Sequence, residues 1–154
     1  MNQEKIRLAV METGKPVEIK TVPKKIESYQ KIVGGLVSVL CTIELDGTYI
    51  DIYMNDEALL DKLPFNRMFK TEYWNTDYPA LAFGNCYAVG YNPETGESES
   101  LTDKQIDYLK KYYNKSDELL RNVPELTGVK GNLVIVLHRG HKLMRDYDVE
   151  LIGI

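Results

Sequence analysis

Residues 36–45, LVSVLCTIEL, then Asp46-Gly47, then residues 48–54, TYIDIYM, decide the fold. Both runs are rich in β-branched and aromatic side chains, which suit a pleated, half-buried surface. Asp-Gly between them supplies the two positive-φ positions of a tight hairpin turn. The stretch reads as a β-hairpin. Upstream, residues 5–11 (KIRLAVM) and 17–21 (VEIKT) read as a second hairpin around Gly14 and Pro16. Pro23 is expected to open a helix over 24–33, with Ile26, Tyr29, Ile32 and Val33 on one face and Gly34 as its left-handed cap.

Downstream, residues 55–63 (NDEALLDKL) carry a capping residue and helix formers and end at Pro64, so a short helix is expected. Residues 65–79 read as an irregular aromatic stretch. Residues 80–91 read as a strand interrupted at Gly84-Asn85. Asn92–Gly96 is a turn. Thr102 and Gln105 form a capping box for a helix over 103–114, with Leu101 and Ile106 as its hydrophobic staple. A helix over 116–122 and strands over 132–138 and 147–153 are expected after it. The fold class is α+β: an antiparallel or mixed sheet of five to seven strands with two or three helices on one side.

The 154 residues make one domain, with a core of about 115 residues and a C-terminal extension from 116 carrying a hairpin. Hydrophobic residues are 44% and charged residues 27%, ordinary for a globular chain. No apolar run approaches the ~20 residues of a membrane helix, and the first residues lack the apolar core of a secretion signal, so a cytoplasmic location is expected. A net charge of −4 argues against a general nucleic-acid binder. Carboxylates interleaved with lysines and arginines rank nucleic-acid mimicry last. Cys41 and Cys86 stand apart in apolar runs with no C-x-x-C spacing, which points to buried, inert thiols.

Four stretches resemble the domain of unknown function 3846 family: ESYQKIVGGLVSVL (27–40), MNDEALLDKLPFNRMF (54–69), ALAFGNCYAVG (80–90) and SLTDKQIDYLKKYY (100–113). The resemblance covers about residues 1–115. Pro64, Asn66 and Arg67 are its most specific piece. It implies the setting of a bacteriophage, plasmid or other mobile element rather than a reaction. Accessory proteins of that setting are often anti-defence proteins that sequester nucleotide signals or bind a host defence protein.

Three clusters are candidate ligand-binding sites. Asn66 and Arg67 could hold a phosphate and read a base edge; alternatively Arg67 pairs with Asp56, Glu57 or Asp61 and orders the loop. Trp74, among Phe65, Phe69, Tyr73 and Tyr78, could stack on a base or pack the loop onto the core. His138, Arg139, His141, Lys142 and Arg145 form a basic turn that suits an anion or is a solvated hairpin tip. The two histidines lack a metal-binding signature, and no cofactor or metal is expected. No nucleophile elbow or other catalytic motif occurs.

Two functions remain. The first is a non-enzymatic binding protein for a nucleotide or other phosphorylated small molecule, or for a host defence protein. The second is a small nucleotide-acting enzyme with His138 or His141 as general base. No membrane partner is expected. A homodimer could form through an edge strand of the C-terminal hairpin.

Overall fold

A computed structural model describes residues 4–58, 60–69 and 80–114. The elements are β1 (Lys5–Met11), β2 (Glu18–Pro23), α1 (Ile26–Val33), β3 (Val37–Leu45), β4 (Thr48–Asn55), β5 (Phe65–Phe69), β6 (Ala80–Phe83), β7 (Cys86–Asn92), β8 (Glu97–Glu99) and α2 (Asp103–Tyr113). The hairpin of β3 and β4 forms as expected, with Asp46 at φ 48° and Gly47 at φ 82°. The expected helices over 116–122, strands over 132–138 and 147–153, and the dimerising hairpin lie outside the described residues.

The class is α+β. Six strands form an antiparallel sheet in the order β2-β1-β7-β4-β3, with β8 beside β7, and β5 and β6 form a second, two-stranded sheet. Side chains alternate along each strand, so the main sheet has two apolar faces. Ile6, Leu8, Val10, Tyr87 and Val89 form one core with Val33, and Tyr29 and Ile32 of α1 pack on it. Ala9, Met11, Ile50, Ile52, Cys86 and Ala88 face the other way and join Phe69, Ala82, Leu101, Ile106 and Leu109. The two helices therefore lie on opposite faces rather than on one. Burying each side chain the size of Leu8, Ile50 or Ile52, all 0% exposed, contributes about 1.5–3 kcal/mol.

Four local expectations change. Pro23 ends β2 instead of opening α1; β2 is an edge strand, where a missing N–H is tolerated. The described residues of 55–63 make turns rather than a helix. Asn55 Oδ1 accepts the Glu57 N–H at 2.7 Å, as a helix cap would, and the Asp61 N–H reaches the Glu57 carbonyl at 2.9 Å, but Lys62 at φ 54° ends the segment after one turn. Residues 65–69 are a buried strand, not an irregular loop. The Gly84-Asn85 interruption is a passage between sheets, since β6 pairs with β5 while β7 pairs with β1 and β4. The helix from Asp103 forms as read: Thr102 and Gln105 make both capping-box bonds.

Candidate functional site

Asn66 and Arg67 are 0% and 1% exposed. Arg67 Nε donates to the Tyr113 carbonyl at 2.7 Å. Its Nη1 donates to the Glu12 carbonyl at 3.3 Å and to Asn66 Oδ1 at 2.7 Å. Its Nη2 donates to the Lys15 carbonyl and to the Asn114 carbonyl at 3.1 Å. These oxygens match all five guanidinium donors. Asn66 Nδ2 donates to the carbonyls of Met11 and Gly84, both at 2.9 Å. Among the described residues, none of Asp56, Glu57 and Asp61 pairs with Arg67; main-chain carbonyls take that place. The pair ties together the β1–β2 turn, the β6–β7 turn and the end of α2.

Those two turns form one wall of a groove of about 550 Å³, within the size range of small-ligand sites. Glu12 and Asn85 stand on that wall, and the Thr13 N–H donates to Asn85 Oδ1 at 3.1 Å. Val10, Val22, Pro23 and Ile32 supply apolar surface. Lys20 of β2 and Lys25, Glu27, Ser28 and Lys31 around α1 complete the lining. Lys25 is the N-cap of α1 and gives no side-chain cap; its carbonyl accepts the Ser28 N–H at 3.0 Å.

The groove is more cationic than the chain as a whole. Glu12 is engaged by Lys15 at 3.1 Å, and Lys20 lies 3.9 Å from Glu18. Among the described residues, Lys25 and Lys31 form no ion pair. Glu27 is the acidic group that opposes them. An apolar floor with several cations and two short polar side chains suits a ligand with a phosphate at one end and an uncharged ring at the other.

A second polar cluster lies on the α1 face. Asp51 is 5% exposed, and its Oδ1 accepts from the Thr42 hydroxyl at 2.7 Å, with the Tyr53 hydroxyl 3.4 Å from Oδ2. The Tyr53 ring stacks on Tyr87, which stacks on Tyr29 of α1, at 5.2 and 5.3 Å. Burial raises the Asp51 carboxyl above its ordinary 3.8, although both hydroxyl bonds pull it down. A carboxyl raised on folding contributes stability that is complete below its unfolded value and is lost as pH rises through its folded value. The stability of Asp51→Asn relative to the parent chain is therefore expected to rise as pH is raised from below the ordinary carboxyl value of 3.8. Denaturation midpoints of both proteins at matched pH measure this, and a difference that stays constant as pH rises would refute it.

Cys41 and Cys86 are 2% and 0% exposed, and burial pushes both thiols up to about 12. They are buried and poorly nucleophilic, as their sequence context indicates. Phe65 and Phe69 are core side chains. Trp74, Tyr73, Tyr78, His138, Arg139, His141, Lys142 and Arg145 lie outside the described residues. The structure brings Asn66 and Arg67 together, as supports behind the groove wall. The sequence reading missed Lys20, Lys25, Lys31, Ser28 and Asn85. A signal for them existed: Lys15, Lys20, Lys24, Lys25 and Lys31 face only Glu18 and Glu27 over residues 15–31, and the helix there starts without a capping residue.

Among the described residues, no helix is long and apolar enough to cross a membrane. A family model described as "Domain of unknown function (DUF3846)" matches residues 6–114. No curated protein and no solved structure matches the chain.

Proposed function

We propose, for a chain that belongs to the domain of unknown function 3846 family, a binding function without catalysis: the groove between β2, α1 and the β6–β7 turn takes a small phosphorylated ligand of nucleotide size. The observation that carries this reading is the concentration of Lys20, Lys25 and Lys31 around an apolar floor in a chain of net charge −4. Phosphate would sit against Lys25 at the start of α1 and Lys31 in its last turn, with Glu27 as the opposing charge. The ring would lie over Val10, Val22 and Ile32. Ser28 and Asn85 can hydrogen-bond sugar or base edges. In a phage or mobile-element setting, such binding would withdraw a nucleotide signal from host defence. That purpose needs affinity and no turnover.

The test is mass spectrometry of small molecules released by heating, after the purified protein has been incubated with a bacterial nucleotide extract. An intact nucleotide near one per chain is expected. Reversing Lys25 and Lys31 to Glu should weaken its binding at least about tenfold, roughly 1.4 kcal/mol. Binding that survives the double reversal would move the site elsewhere. A chemically altered nucleotide would favour the enzymatic alternative, and an empty groove would favour a protein target.

A further inference from the structure

Resting on the reading of the groove as a nucleotide site, we infer that Asn85 makes it select bases whose outer edge carries a carbonyl, guanine and uracil, over bases whose edge carries an amino group there, adenine and cytosine. The Asn85 side chain is oriented by the chain itself. The Thr13 N–H donates to its Oδ1 at 3.1 Å. A main-chain N–H needs an acceptor, so the amide oxygen faces the β1–β2 turn and the amide nitrogen faces away from it. Asn85 lines the groove. What it offers a ligand there is an NH2 group, which has two donors and no acceptor. The backbone beneath it is held as well. The Gly84 N–H donates to the Pro64 carbonyl at 2.7 Å, and the Gly84 carbonyl accepts from Asn66 Nδ2 at 2.9 Å. The donor is therefore placed before a ligand arrives, which lowers the cost of using it.

The register puts this donor beside the surface on which the ring would lie. Val10 is directly opposite Tyr87, and Asn85 stands two residues before Tyr87, on the same side by strand alternation. Diagonal neighbours of this kind lie about 7–8 Å apart, within reach of a ring. A base over Val10 thus meets Asn85 at its edge. The edges of the bases differ in what they bring. Guanine presents two acceptors, a carbonyl oxygen and a ring nitrogen, and uracil presents a carbonyl oxygen. Adenine and cytosine present an amino donor. Asparagine reads adenine through two bonds, its oxygen accepting from the amino group and its nitrogen donating to the ring. With Oδ1 turned to Thr13, that pairing is closed. An amino group brought to Asn85 meets donor with donor and loses its hydration without replacement. A carbonyl meets the donor it needs.

Isothermal titration of the full chain with guanosine, uridine, adenosine and cytidine monophosphates tests this. Guanosine and uridine monophosphates are expected to bind about three- to tenfold tighter than the other two. Inosine monophosphate carries a carbonyl where adenosine monophosphate carries its amino group. It should bind like the guanosine compound, a comparison that needs no change to the protein. Asn85→Asp keeps an oxygen for the Thr13 N–H and replaces the donor with an acceptor of the same shape. The added charge weakens all the monophosphates alike, so the readout is the ratio of carbonyl to amino bases, which should fall to one or below. Equal binding of all four in the unmodified protein overturns the inference, as does tighter binding of adenosine and cytidine or a ratio unmoved in Asn85→Asp. In each of those cases the groove still holds nucleotides through its lysines, and base selection alone is lost. If none of the four binds, the groove is not a nucleotide site and both readings fall.

Discussion

Arg67→Met is expected to cost about 3–5 kcal/mol of folding stability. The methionine fills most of the same space, so the loss is chiefly one of hydrogen bonds. The carbonyls of Glu12, Lys15, Tyr113 and Asn114 and the side-chain oxygen of Asn66 each lose a donor. These oxygens come from three separate parts of the chain, so the end of α2 and the β1–β2 turn lose a common anchor. Arg67→Lys should recover less than half of the loss, because an ammonium has three donors and no planar fork to reach five oxygens. Denaturant titration of the three proteins measures both effects. A cost below about 1 kcal/mol for methionine, or full recovery by lysine, would show that the guanidinium network is not holding these segments together. The groove should also suffer, since Glu12 and Asn85 stand on turns fixed by this pair.

The part of the fold legible in the sequence is the part whose causes are local. Asp46-Gly47 specifies its turn through backbone conformation, and Thr102 with Gln105 specifies the start of α2 through two bonds three residues apart. Phe65–Phe69 was not legible as a strand. Asn66 and Arg67 interrupt the apolar pattern, and what makes their burial tolerable is a set of carbonyls 18 to 55 positions away. No local rule contains that information. Asn55–Leu63 misleads for the opposite reason. Its composition and its Asn55 cap favour a helix, but the left-handed backbone at Lys62 ends the segment after one turn, closed by the Asp61 N–H to the Glu57 carbonyl. The groove escapes a linear reading because β1, β2, α1 and the β6–β7 turn each contribute to it. Taken singly, its lysines look like ordinary solvated charges.

Gly90→Ala is the second substitution with a large expected effect, about 2–4 kcal/mol. Gly90 lies in β7, with Ile50 of β4 on one side and Glu99 of β8 on the other. A Cβ there would stand 2.9 Å from the Glu99 carbonyl oxygen and 3.1 Å from that of Ser100. Both are main-chain atoms, so no rotamer change relieves the contact, and the 99–101 segment must move. That segment is tied down at several points. The Arg7 N–H donates to the Ser100 hydroxyl, the Leu101 N–H donates to the Arg7 carbonyl, and the Arg7 guanidinium holds the Leu101 carbonyl. Leu101 is 1% exposed in the core beside Ile106, and Thr102 begins the capping box. Displacing residues 99–101 therefore loosens α2 from its first turn. The melting temperature should fall by roughly 6–15 °C, and hydrogen exchange should rise first in α2 and β8 rather than in the β3–β4 hairpin. If Gly90→Ala melts within a degree or two of the parent chain, β8 is free to shift and does not position α2.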